Sequence, residues 1–147
     1  MNNRDNFTEK VKQAVAARAG WLCSFSGCGK LTVGPSEEAP EAVAKIGEAA
    51  HICAASQGQG ARRYDAMMTP DERAGFDNAI WLCSDHAKLI DRDEVTYTAD
   101  VLRMMKREHE AACARCALRV KRGYCHRAIC GQPGCDLHRR PHAHGGG

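Results

Sequence analysis

The chain is expected to fold as a small α+β domain, and three observations carry that expectation. Two short-spaced pairs of soft ligands, Cys23-x4-Cys28 and Cys83-x2-His86, stand far apart in the sequence. Helical patterns bracket the chain near 6–19 and from Thr98 onward. Between them lie short apolar runs, one ending at His51 and one opening at Asn78, that read as strands. Aromatic residues make up only 5% of the 147 residues, so a large aromatic core is not available. A domain with so little to bury commonly relies on a metal staple, and flanking helices around a stapled core follow from the pattern.

Residues 6–19 form a helix, with Asn6 as its cap, Glu9 in capping-box position, an apolar stripe of Phe7, Val11, Ala14 and Val15, and Gly20 as its stop. Cys23 to Gly29 is a turn-rich knuckle in which Gly27 and Gly29 let the backbone wrap a metal. Residues 34–41, with two prolines, read as a polar loop. Ala44 to Ile52 reads as a short strand ending at His51, with helix left open for 41–46 because the apolar period is not clean. Thr69-Pro70-Asp71-Glu72 opens a short helix that ends near Asp77: threonine caps, proline takes the first turn, glutamate completes a capping box. Asn78 to Cys83 is extended and apolar, and Ser84 to Ile90 is a helix carrying the second ligand pair. Thr98 and Asp100 open a last helix that buries Val101, Leu102 and Met105 and runs at least to Glu110.

This divides the chain into a domain over 5–110 and a basic Cys/His-rich tail over 111–147. The net charge of +3 hides an asymmetry: residues 1–110 hold 14 Lys and Arg against 17 Asp and Glu, whereas 111–147 hold 7 against 1. A basic tail on a mildly acidic domain suits a polyanion such as DNA, held in a salt-sensitive way. Nine cysteines, an odd number accompanied by histidines at ligand spacing, favour metal over disulfides and a reducing cytoplasm over an oxidising compartment. No apolar run approaches ~20 residues, so no membrane span is expected. MNNRDNFTEK lacks the apolar stretch of a secretory signal.

Cys23, Cys28, Cys83 and His86 supply four tetrahedral corners for a structural Zn²⁺. Cys53, without a partner at ligand spacing, is expected to be core packing. The tail carries ligands for a second zinc among Cys113, Cys116, Cys125, Cys130, Cys135 and His138, without a spacing that selects one set; the alternative is an unstructured extension that binds zinc weakly through its His and Cys richness. Arg62 and Arg63 follow a glycine-rich turn, and their guanidinium groups match phosphate oxygens, so they are expected to contact a nucleic-acid backbone.

GEAAHI at 47–52, together with DNAIWLCSDHAKLID at 77–91, resembles the HNH, or ββα-metal, endonuclease domain. The chain is especially similar to the branch whose core reads roughly AAHI…AAS…GxRY…MTxxER…NxIWLCxxCAxLID, which includes nuclease domains of bacterial anti-phage effectors often fused to a cyclic-oligonucleotide sensor. The resemblance spans about 5–110. It implies a DNA endonuclease that hydrolyses phosphodiesters with His51 as general base, and a place in phage defence or phage biology. It further implies that Asn78 either orients His51 or holds the loop presenting it, and that a catalytic Mg²⁺ or Mn²⁺ takes part.

The chain departs from the family at three positions. His86 stands where cysteine is usual, a change that zinc tolerates. Ala87 and Ala50 stand where many members place ligands for the catalytic metal. Glu48, two residues before Ala50, shares its face in a strand. Asp91, one helical turn beyond Ala87, reaches the same space. Both are carried as substitute ligands. DNA backbone is the expected target rather than a base sequence, since no long recognition helix is visible. With no sensor domain, regulation would fall to oligomerisation, a partner or the tail. The competing reading is a non-catalytic zinc module that binds nucleic acid or protein, favoured by the same two alanines.

Overall fold

The structure, a computed structural model, describes residues 6–118. It is a mixed α/β arrangement with two small two-stranded sheets. The first helix, α1 (Glu9–Arg18), starts later than its sequence suggests. Thr8 is the cap, its hydroxyl accepting from the Val11 amide at 3.3 Å, which leaves Asn6 outside and Glu9 at the first helical position instead of in a capping box. The inward face is also shifted: Val15 and Ala16 are buried while Ala14 is exposed. Phe7 precedes the helix and is buried beside Val15, Ala16, Ala19 and Trp81.

The segment read as a polar loop and one strand is instead two strands and part of a third. β1 (Val33–Pro35) pairs antiparallel with β2 (Val43–Lys45), and the chain breaks at Ile46 before β3 (Gly47–His51). The alternative of a helix over 41–46 is not taken. The break has a cause: the Ile46 amide donates to the Thr32 carbonyl, while the Ile46 carbonyl receives the Ser84 amide and hydroxyl. Both backbone groups of Ile46 are thereby drawn out of a continuous ladder. Gly47 follows because nothing larger fits; a Cβ there would lie 2.6 Å from the Trp81 ring and 2.7 Å from the Thr32 hydroxyl oxygen. That hydroxyl accepts from the Trp81 indole at 2.9 Å and donates to the Trp21 carbonyl at 2.6 Å.

α2 (Pro70–Arg73) carries the expected capping box, with Thr69 and Glu72 bonded reciprocally, but it stops at Arg73. A single 3₁₀ turn, Phe76–Asn78, replaces its expected last turn and delivers the chain into β4 (Ala79–Cys83). β4 is buried along its whole length and pairs antiparallel with β3, His51 lying opposite Ala79 and Glu48 opposite Leu82. Alternation sends Ala79 and Trp81 into the cluster under α1, and Ile80 and Leu82 into a second cluster with Ile52, Ile90, Leu102 and Met105. A strand covered on both faces is why 79–83 is apolar without a period.

β4 passes directly into α3 (Ser84–Arg92), which packs on β3 and β4; α4 (Ala99–Leu118) closes the second cluster from outside. Lys106 and Arg18 tie α4 and α1 to the 3₁₀ turn. The Lys106 ammonium donates to the Phe76 carbonyl at 2.6 Å and lies 3.7 Å from the Phe76 ring, and Arg18 pairs with Glu110 at 2.6 Å. Among the described residues no helix is long and apolar enough to cross a membrane.

Candidate metal centre and adjoining cleft

Folding brings Cys23, Cys28, Cys83 and His86 together, their ligand atoms all within 4.8 Å of one another. His86 Nδ1 lies 3.3 Å from the Cys83 sulfur and 3.5 Å from the Cys23 sulfur. A zinc ion bound at about 2.3 Å to sulfur and about 2.0 Å to nitrogen would set tetrahedral N···S edges near ~3.5 Å, so the donors fit that ion. The knuckle that makes this possible is a tight turn in which the Cys28 amide donates to the Phe25 carbonyl at 2.9 Å, with Gly27 and Gly29 at φ of +79° and +58°. β4 and the first turn of α3 supply the other pair. Phe25 stacks flat on the His86 ring, centroids 3.9 Å apart, and fixes its orientation.

The electrostatics suit a cation. Burial pushes the Cys23 thiol up to about 12, opposed by amides of Cys83 and Phe25 that point at its sulfur. Such a thiol ionises readily only with a positive charge beside it, which is what a bound metal supplies. Burial also holds His86 below the usual histidine range, favouring the neutral imidazole that ligates metal.

Most of the other residues expected to carry function gather around one cleft of about 650 Å³ beside β3. Glu48, His51, Arg62, Arg63 and Asp91 line it, joined by Ala87 and Lys88. His51 is half-buried at the end of β3 with its ring stacked on Phe7, centroids 3.8 Å apart and planes 14° off parallel. Asn78 is buried beside the loop that leaves His51. Its side-chain oxygen accepts from the Cys53 amide at 2.8 Å, and its amide nitrogen donates to the carbonyls of Cys53 and Arg73, both at 2.9 Å. Of the two roles expected for it, the observed contacts are those of a clamp on the loop leaving His51.

Arg63 is a correction. Its side chain is only 5% exposed, and its guanidinium faces acceptors on every side. It donates to the carbonyls of Ile52 and Ile90 at 2.7 Å, reaches those of His51 and Tyr97 at 3.5 Å, and pairs with Asp91 at 2.9 Å. A guanidinium so engaged has no donor left for phosphate. It braces the loop after β3 against the end of α3. Arg62 differs: it is partly exposed, and among the described residues its ion-pair contact is to Glu94 at 3.6 Å.

The expected catalytic-metal donors do not converge. Among the described residues Glu48, His51 and Asp91 form no second group with ligand atoms within 4.8 Å of one another. The reason lies in the strand. Glu48 and His51 are three residues apart and so lie on opposite faces of β3, and one Asp91 oxygen is engaged by Arg63. Cys53 is core, 2% exposed, with burial raising its thiol and Arg103 3.5 Å from its sulfur. Cys113 and Cys116 lie on α4, Cys113 with its sulfur 3.6 Å from His109 Nε2. Cys125, Cys130, Cys135 and His138 fall outside the described residues. Sequence reasoning missed Phe7, Lys88 and the bracing role of Arg63. Only the helix register from Ser84, which puts Lys88 one turn before Asp91, could have pointed to the second.

A scan against protein-family models finds no match for this chain, and a search of curated proteins finds none either.

Proposed function

We propose that the protein is an endonuclease of HNH type that hydrolyses DNA phosphodiesters in the cleft beside β3, with His51 as general base. The observation that carries this reading is the gathering of His51 with Arg62, Glu48 and Asp91 on one cleft, next to a Cys₃His cluster at the root of α3. The order β3, β4, α3 agrees with the ββα unit that the sequence motifs suggest. Hydrolysis needs a water to lose a proton as its oxygen bonds to phosphorus. His51 takes that proton, one ester P–O bond breaks, and the departing oxygen leaves with a proton from solvent. The flat contact with Phe7 and the Asn78 clamp on the following loop help hold the base in place. Zinc at Cys23, Cys28, Cys83 and His86 would be structural, joining knuckle to helix. Among the described residues the donors expected for Mg²⁺ or Mn²⁺ do not fit one ion as they stand.

The test is plasmid cleavage. Purified protein incubated with supercoiled DNA should nick or linearise it, and His51→Ala should lower the rate by about 100-fold or more, as expected for loss of a general base. Added Mg²⁺ or Mn²⁺, compared with no added divalent cation, reports any need for one. A mobility shift without cleavage under every metal condition would favour a second reading, a zinc-stabilised module that binds nucleic acid. Ala50, Ala87 and the unconverged carboxylates favour that reading. A role in phage defence rests on the sequence resemblance alone.

A further inference from the structure

Among the cleft's lining residues three carry positive charge: Arg62, Arg63 and Lys88. Arg63 is sealed in by its five acceptors. Among the described residues Arg62 makes one loose ion pair, with Glu94 at 3.6 Å. Lys88 is exposed, and among the described residues no carboxylate is recorded within ion-pair distance of it. It lies on α3 one residue beyond Ala87 and one turn before Asp91, so its stem lines the cleft where a small side chain leaves room. Carboxylates in this cleft do not gather round one ion, so a phosphate entering it meets charge compensation chiefly from side chains.

We propose that Lys88 and Arg62 together grip the phosphate backbone in the cleft, Lys88 meeting the non-bridging oxygens of the phosphate attacked by the water that His51 deprotonates. The inference rests on the nuclease reading and adds the substrate-contacting residues to it. An ammonium beside those oxygens favours the extra negative charge of the transition state and carries no information about base sequence. A lysine can do this as a point charge, whereas Arg62 can engage two oxygens at once. The substrate class is therefore a nucleic-acid backbone read by charge and not by base.

The experiment compares the full-length protein with Lys88→Ala, Lys88→Arg, Arg62→Ala and the control Lys10→Ala, on α1 and outside the cleft. Two readouts are taken: plasmid cleavage, and affinity for a labelled duplex across a salt series without added Mg²⁺ or Mn²⁺, with zinc content and melting temperature checked for each. Lys88→Ala should cleave about 10-fold to 100-fold more slowly and shallow the slope of log K against log salt by about 0.9, the value for one lost phosphate contact. Lys88→Arg should recover most of the slope, and Lys10→Ala should match wild type. An unchanged slope and rate in Lys88→Ala, beside a wild type that binds or cleaves, overturns the Lys88 assignment alone. A wild type that binds without cleaving removes the nuclease reading, and the salt slope still judges Lys88. A wild type that neither binds nor cleaves removes both.

Discussion

Arg62 and Arg63 are adjacent in sequence and of one chemical type, yet they meet different surroundings. Arg63 has φ of +54°, a conformation uncommon outside glycine, and it directs its side chain inward to five oxygens. Removing it leaves buried carbonyls unpaired at the turn after His51 and at the end of α3. Arg63→Ala is therefore expected to lower stability by about 3 kcal/mol, in the range for breaking a buried charged network, and to loosen the loop that presents His51. Arg62→Ala, at a partly exposed position, should change stability by no more than about 0.5 kcal/mol. Urea unfolding of the two variants checks this; equal losses would contradict the division between brace and grip. The pair also shows where a reading from sequence stops. A basic dipeptide after a glycine-rich turn is legible as charge, but which member faces solvent depends on carbonyls from β3 and α3 that only folding brings near.

At the scale of the element, α2 shows how a short helix survives on its cap. Thr69 and Glu72 exchange hydrogen bonds of 2.7 Å and 3.2 Å, and the first turn is rigid at Pro70. The Thr69 amide and hydroxyl hold the Glu72 carboxyl below the usual carboxylate range. A carboxyl lowered in the folded state binds its proton less tightly there than in the unfolded chain. Its contribution is thus present above the ordinary carboxylate pKa and lost as pH falls through the folded value. Glu72→Gln should flatten the decline of melting temperature on the acid side relative to wild type, measured by thermal unfolding from neutral pH downward; an identical profile would remove the box from the account. This cap was readable because its residues are contiguous. The length of the helix was not, since Gly75 turns back toward Asp71 and Glu72 and Asn78 is drawn to the Cys53 loop.

For the whole molecule, the metal cluster joins what the chain separates. The knuckle, the end of β4 and the start of α3 meet at Cys23, Cys28, Cys83 and His86, and both apolar clusters touch β4. Structural zinc contributes on the order of 10 kcal/mol in small domains, comparable to the whole stability of a domain this size. Cys83→Ser should release one zinc per chain and abolish cooperative unfolding near the wild-type temperature; chelation of the wild type should do the same. Metal analysis beside a thermal melt checks it, and full zinc content with an unshifted melt would sink the four-ligand assignment.

By itself the sequence determined those features that local chemistry specifies: the ligand spacings of Cys23-x4-Cys28 and Cys83-x2-His86, the Thr69 cap, the uninterrupted apolar run that becomes β4, and His51 at a strand end. Each depends on residues close together in the chain. Tertiary structure alone decided the division of 43–51 into two strands, because Ile46 is drawn to Thr32 and Ser84. It also set Phe7 against His51, turned Asn78 into a loop clamp, buried Arg63 and left Lys88 facing the cleft. Side chains of similar polarity find opposite fates according to which distant backbone groups lack a partner, and those partners are known only once the chain has closed on itself.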